Sequence, residues 1–590
     1  MSGRSRLSIP LAMAVLMLAM LTGCVQVPTA GPIERVEGQQ EACQSCVNVE
    51  VAPPAAGDDQ RQIVEAYLRA TSNYQPNYSV ARQFLTKAAA ERWSPEDGVS
   101  IYRGSPAVSD ETVRLEGRLV GSLAPDRTYT AQDKQLSVDF HLVREDGEWR
   151  IDKPPDGLMV AEYSFNRFYQ AFQVYFIGNG SSLAPERIYL PTLRSPANVA
   201  SALMTALLAG PSEWLAPAVE SAIPADTSLS VDSVTITNSI AEVALSEAVL
   251  TLPDPRRSLM AAQIVFTLKQ ASGVKGVLIT VNQQRYRVPE SDPTSMVIPV
   301  DAFSRDIDPV PFVSGDQLYV VNKGTVQLVT ATSDTPTVSA IDGDLGQPRL
   351  GVNSLAVSMN GTDLALVTRG RTELRRAQAS TGDVTMLISG LSDLLRPQFT
   401  RYGEVWALGR QNGKQKMWMF TVNQKNDDTS IPVHAPVLGQ AEVTAFRISP
   451  AGSRIALVRK TRTGSELGLA RIIRGDKGIT VDEWRQIDLT QTGGTQVTQI
   501  ADLAWVDAND LLLLGAASKD AALAPIRVTA DASQISAEGG EPANWNAREL
   551  TVLYRPQTTI VVGSEGLTWR NDGSQWLPFV NGVDTIAYPG

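Results

Sequence analysis

The sequence predicts a multidomain chain, with two α+β domains followed by an all-β propeller-like domain, on three observations. Near residues 291–296 the pattern changes from mixed helix and strand to short strands separated by Gly, Asn and Asp turns. Within that second half a hairpin recurs, because Ala356–Val367 can be laid over Arg447–Val458 without a gap and weaker copies occur at Pro397–Leu408 and Ala504–Leu514. Copies about 40–60 residues apart have the period of four-stranded propeller blades. Ahead of them the segment from 161 to 290 has the order β-α-β-β-α-β, a compact two-layer unit.

The N-terminus is read as a signal peptide over residues 1–23. Arg4 and Arg6 form a short positive region, and Leu7–Leu21 is apolar apart from Ser8 and broken by Pro10. That run is about 15 residues, short of the roughly 20 that a spanning helix needs. Leu21-Thr22-Gly23-Cys24 then places small residues before a cysteine, the pattern of a lipobox. Cleavage between Gly23 and Cys24, with diacylglyceryl attached to the Cys24 thiol, is therefore expected. Two acyl chains suffice for stable anchoring where one does not. The expected location is the extracytoplasmic face of the cell membrane.

Residues 24–59 are rich in Pro, Gly, Glu and Gln without apolar periodicity, and are read as a flexible tether spanning on the order of 30 Å. Cys43 and Cys46 lie within it. An even pair in an oxidising compartment suggests a local disulfide, and a thioredoxin-like redox pair, which would need a following helix in a βαβ setting, is the alternative. Losing residues 1–23 removes two arginines and no acids, so the net charge of −11 becomes −13. Such a surface disfavours nucleic acid and direct adsorption to anionic lipid.

Residues 60–160 form the first predicted domain. Ile63, Tyr67, Val80, Phe84 and Leu85 have helical spacings, and strand-like segments follow at Val113–Val120, Leu136–Val143 and Trp149–Ile151, with a turn at Gly147. The aromatic-rich stretch from Tyr163 to Phe176 suits either a helix or a strand with a lead-in. In the second domain, Arg187–Leu190 is the opening strand, Ser195-Pro196 caps a helix that Gly210-Pro211 stops, and Val231–Ile236 and Ile240–Leu245 flank a turn. Asp254-Pro255 starts a second helix carrying Leu259, Ala262 and Phe266, and Val277–Val281 closes the unit. Residues 291–590 are assigned to the propeller, with Val297–Val300 and Thr585–Tyr588 expected to pair where the ring closes.

The chain contains two histidines, His141 and His434, so zinc sites and histidine-based triads are nearly excluded, and no metal site, cofactor or catalytic residue is predicted. Asp342-Gly343-Asp344-Leu345-Gly346 starts like a calcium loop but lacks its later ligands, and a plain turn is the stronger reading. Gly413-Lys414 has no glycine at the position a phosphate loop requires. A glycosidase pair of carboxylates can come from remote parts of a fold, so spacing does not test for one. Asp58-Asp59 and Asp427-Asp428 are the conspicuous pairs, best read as solvated loop residues. The aromatic stretch could form a sugar platform, with a core or interdomain contact the stronger reading.

Taken together, Leu21-Thr22-Gly23-Cys24, Arg187-Ile188-Tyr189-Leu190, Leu207-Leu208-Ala209-Gly210-Pro211, Ala222-Ile223-Pro224-Ala225-Asp226-Thr227 and the propeller repeats resemble the actinobacterial lipoprotein LpqB family over essentially the whole chain. The middle segment is similar to the GerMN domain, with Val243-Ala244-Leu245-Ser246 a further match, and the first domain is expected to be NTF2-like. The resemblance implies a non-enzymatic accessory role: binding the extracellular part of the MtrB sensor histidine kinase and modulating MtrA phosphorylation, with effects on cell-wall homeostasis and division. Only Cys24 carries over as a site. A cell-wall glycan-binding protein, or a glycoside hydrolase working in the propeller funnel, is the alternative.

Overall fold

In the computed structural model, residues 52–590 are described except for 110–111, 314–316, 331–335, 423–427, 440, 491–494, 541, 543–544, 556, 572 and 574. Gly23, Cys24, Cys43 and Cys46 therefore lie outside the described residues. Among the described residues no helix is long and apolar enough to cross a membrane.

Helix α1 (Gln60–Ser72) begins at Asp59, whose carboxylate accepts from the Gln62 backbone N–H at 2.8 Å while the Gln62 side chain accepts from Asp59 N. This capping box satisfies two donors that a helix start leaves free. Asp59 is thus a helix cap, a more specific role than the solvated loop expected. The helix buries Ile63, Val64, Tyr67 and Leu68 against a five-stranded sheet ordered β4-β3-β2-β1-β5. Its strands are β1 (Val99–Ser109), β2 (Thr112–Leu123), β3 (Tyr129–Glu145), β4 (Glu148–Lys153) and β5 (Leu158–Ala161). Asp146 and Gly147 both have positive φ, 54° and 86°, which is the mirror-image turn that matches strand twist in a two-residue hairpin. The short helix α2 (Lys87–Arg92) packs against β4.

The aromatic stretch resolves into both of its readings. Glu162–Phe168 is helix α3 and Tyr169–Ile177 is strand β6, paired along its full length with β7 (Leu183–Pro191). Phe165 and Tyr169 lie in one cluster with Tyr129 and Tyr189, with ring centroids 5.0 to 6.0 Å apart. All four rings are buried, so this part of the stretch is an interdomain contact joining the first domain to the second, while Tyr163 at its start is exposed.

The middle domain follows the predicted order. Helix α4 (Pro196–Leu208) is capped by Ser195 Oγ, strands β8 (Thr235–Thr237) and β9 (Ile240–Leu245) form the hairpin, and helix α5 (Asp254–Leu268) leads to β10 (Gly276–Val281). β9 and β10 run parallel, as a crossover through α5 requires. Two short strands then extend the sheet, β11 (Gln284–Arg285) and β12 (Ile298–Pro299), and both pair with β10. Val297–Val300 therefore completes the middle domain and does not close the propeller. The cause is burial: Ile298 and Ile307 sit in the middle-domain core, with Val300, Ala302 and Phe303 packed against it. The propeller strands start at Leu318.

Among the described residues the propeller has six blades, opening in chain order at Leu318, Val352, Gln398, Val443, Gln499 and Ala547. The ring is closed by Thr585–Ala587, which forms the innermost strand of blade 1 against Leu318–Asn322. The recurring sequence hairpin is the pair of inner strands of blades 2 to 5. Gly361, Gly403 and Gly452 occupy the turns at φ 72°, 71° and 68°.

These turns are also where the middle domain sits. Asn179 N donates to Ala451 O at 3.0 Å, Ser182 and Tyr402 share a hydroxyl contact, and Arg187 pairs with Asp510 at 2.7 Å. Farther round the ring, Arg555 grips Asp308 through both terminal nitrogens at 3.1 Å. Glu404 lies under this seam and accepts from Asn179, Arg474 and the Trp406 indole. A Cβ on Gly452 would come within 2.9 Å of the Tyr402 ring and 3.2 Å of Asn179, whereas one on Gly413, in an outer hairpin with φ 77°, would meet nothing within 4 Å. Both Gly→Ala changes force an L-residue into left-handed backbone, at about 1–2 kcal/mol. Gly452→Ala should cost measurably more than Gly413→Ala in urea unfolding, and equal losses would show that the seam does not press on this turn.

Candidate functional site

Two of the stretches that carry the sequence resemblance meet at one place. Helix α4 ends at Leu208, Gly210 turns the chain away at φ 87°, and Pro211 prevents the helix from resuming. Leu207–Pro211 then faces the loop segment Ser221–Ala225 across a cleft of about 430 Å³, which Leu252 and Arg256 complete. Leu207, Leu208, Pro211, Ile223, Pro224 and Leu252 supply the apolar part of its walls, and polar atoms supply about as much of the surface. Arg256, near the start of α5, is the one cationic side chain that lines it; its guanidinium donates to Ser221 O at 2.9 Å and reaches Glu220 at 3.3 Å.

Ala222 is held in place by Gln263, a fully buried residue of α5. Ala222 N donates to Gln263 Oε1 at 2.7 Å, and Gln263 Nε2 donates to Tyr175 O at 2.8 Å. One amide thereby satisfies two backbone groups of separate elements, as buried polar groups require. The sequence reading missed this residue. Its signal was a lone uncharged polar side chain in the otherwise apolar run from Leu259 to Phe266.

What the cleft can do is bind. It offers apolar surface, the helix turn at Arg256 and a single cation whose carboxylate neighbour, Glu220, is exposed on the rim. Two carboxylates placed for acid and base work do not line it.

The propeller axis was the other place for a carboxylate pair, and its acids are engaged. Asp502 accepts from Arg447 at 3.0 Å, from Arg396 at 3.3 Å and from Leu550 N at 3.0 Å. Glu549 accepts from Arg396 at 2.9 Å and from the Thr585 hydroxyl. Burial lowers the pKa of the Arg447 guanidinium and raises that of the Glu549 carboxyl above the usual carboxylate range. These groups come from blades 3 to 6 and from the closing strand, so they fasten the inner strands to one another.

The remaining sequence candidates are structural. His141 is exposed on β3 between buried Phe140 and Leu142, and His434 is exposed on a short strand. Asp344 starts a single 3-10 turn and pairs with Arg349. Gly413 and Lys414 belong to the hairpin of blade 3. Asp428 differs from its expected solvated state: it pairs at 2.9 Å with Arg376, which is buried and also pairs with Asp363 at 2.7 Å, tying blade 3 to blade 2. Among the described residues no group of His, Cys, Asp or Glu could hold a metal ion.

Three family profiles match in tandem along the chain. "Lipoprotein LpqB, N-terminal domain" matches residues 53–166, "Sporulation and spore germination" (Germane) matches 173–287, and "Lipoprotein LpqB beta-propeller domain" matches 313–589. The chain belongs to the LpqB lipoprotein family. An LpqB of Cutibacterium acnes is 27% identical over 99% of both chains, and an LpqB of Thermobifida fusca is 24% identical over 97% of both. Among solved structures, TolB from Acinetobacter baumannii aligns with a TM-score of 0.33 at 14% identity, over 54% of this chain and 84% of that one. The cleft lies wholly within the Germane-matched segment.

Two substitutions test the roles assigned here. Gln263→Leu leaves Ala222 N–H and Tyr175 C=O buried without partners and should cost about 2–4 kcal/mol in urea unfolding. Asp502→Ala strips a buried carboxylate from two arginines and should cost about 3–5 kcal/mol; a loss below about 1 kcal/mol would show that the axis does not hold the ring.

Proposed function

We propose that this chain is a lipid-anchored accessory protein of the extracytoplasmic membrane face, which binds the extracellular domain of an MtrB-like sensor histidine kinase and modulates its two-component signalling. It acts by binding, without a reaction of its own. Cys24 is the anchor and the tether up to about residue 59 sets the reach above the membrane. The observation that carries the binding reading is the middle-domain cleft, where two of the stretches that share in the family resemblance, at 207–211 and 222–225, converge on a partly apolar surface that no carboxylate pair lines. An apolar segment of a partner, with an acidic group toward Arg256, fits those walls in chemistry.

The test is recovery from membranes with the full-length protein as bait, beside Cys24→Ser and a cleft variant, Leu208→Glu with Arg256→Glu. Leu208 is only partly buried and Arg256 partly exposed, so both changes should leave the fold intact by circular dichroism. One sensor kinase should co-purify with the wild type and fall at least tenfold with the cleft variant. Kinase recovery that ignores the cleft change would move the contact elsewhere on the protein. Retention on purified sacculi without any kinase would replace this reading with cell-wall glycan binding.

A further inference from the structure

Where the three domains meet there is a small cavity of about 40 Å³, room for one halide-sized ion or about three waters. Tyr129 of the first domain, Arg187 and Trp214 of the middle domain, and Arg454, Arg485 and Asp531 of the propeller all line it. Three donors belonging to residues of this lining are buried without a protein acceptor: Arg454 Nε, Arg187 Nε and the Trp214 indole Nε1. Arg454 is 6% exposed and makes its hydrogen bonds through its other end, to Pro185 O, Ala508 O and Asn509 Oδ1.

The charges around the cavity are unevenly matched. Arg187 has Asp510 as partner, but among the described residues neither Arg454 nor Arg485 has a carboxylate at ion-pair distance, and Arg485 donates to Tyr129 O at 2.7 Å. Burial lowers the pKa of both, that of Arg454 to about 10. The two acids on the lining are occupied. Ser212 donates to both oxygens of Glu186 through its backbone N–H and hydroxyl, and Asp531 accepts from Tyr189, Thr529 and Ser533. Burial also raises the Glu186 pKa, against the two Ser212 hydrogen bonds that lower it. Glu186 and Asp531 act on Arg454 and Arg485 across the cavity without pairing with them, and buried donors without acceptors are costly and call for an acceptor.

We propose that this cavity is a binding site for a small inorganic anion of halide size, which accepts from Arg454, Arg187 and Trp214 and fastens the three domains to one another. The ligand is defined by the donors, since all three orphaned groups are N–H and none is an acceptor.

The experiment uses full-length protein in detergent, melted in chloride, bromide or gluconate at equal ionic strength, beside a Trp214→Phe variant that keeps an aromatic ring and loses the indole N–H. Chloride and bromide should raise Tm over gluconate by about 2–4 °C in a saturable way. The variant should lose at least half of that increment, and crystals grown in bromide should show an anomalous peak beside Arg454 Nε and Trp214 Nε1. A Tm that follows ionic strength whatever the anion, an increment untouched by Trp214→Phe, or a cavity without a bromide peak would each overturn the proposal, leaving ordinary salt effects and bound water.

Discussion

A ring of blades holds its shape only if its first and last strands share a sheet, and here three residues, Thr585–Ala587, do that against Leu318–Asn322. Closure removes the open edges that an arc of blades would present and fixes every inner strand relative to the axis. The arginine and carboxylate groups of the axis then become possible as a set: Arg396, Arg447, Asp502, Glu549 and Thr585 come from positions nearly 190 residues apart and meet because the ring brings their strands together. Buried ion pairs of this kind contribute little net stability against an apolar core of equal volume, but removing one partner is severe. They serve as a registration device for the inner strands, and Asp502 and Glu549 are both engaged in it.

The same closure places the turns of the inner hairpins on one face, and that face is the seat of the middle domain. Small turn residues permit the approach. Gly178 lies so close to Ala451 that a Cβ would stand 2.6 Å from its carbonyl oxygen, and Gly452 borders Tyr402 and Asn179. Glu404, Arg187 and Arg454 supply the polar part of the seam, each held by partners from both sides or from its rim. The first domain reaches the same corner through the rings of Tyr129 and Phe165 around Tyr189. The cleft at Leu207–Pro211 and Ser221–Ala225 is lined by middle-domain residues alone.

Much of this was legible because it is local. The capping serine at 195, the stop at Gly210-Pro211, the turns at Gly147 and Asn238-Ser239, and the inner hairpins of blades 2 to 5 are all written in short spacings, and each forms where its residues indicate. The missed features depend on which surface a segment finds. Val297–Val300 is an apolar strand-like run, and nothing within it distinguishes the edge of β10 from the edge of a blade. Asp428 looks like a solvated loop acid until Arg376, 52 residues away, is placed beside it. Gln263 stood in an apolar helix as a visible anomaly, but its two backbone partners lie 41 and 88 residues distant. The cleft was legible only as two conspicuous stretches whose meeting required the fold.

Blade 4 carries an addition that bears on how this molecule behaves in a crowded envelope. Val433–His434 lies parallel to the outer strand of that blade, pairing with Ile479 and Thr480, so one end of its rim is covered by the chain itself. Blade 1, by contrast, ends in Thr337–Ala340, a strand exposed at all four residues. An outermost strand with free backbone groups is a template for any extended peptide, whether a recruited segment or a misfolded neighbour. Blade 4 thus carries a paired segment on part of its rim, while the outer strand of blade 1 meets solvent along its length.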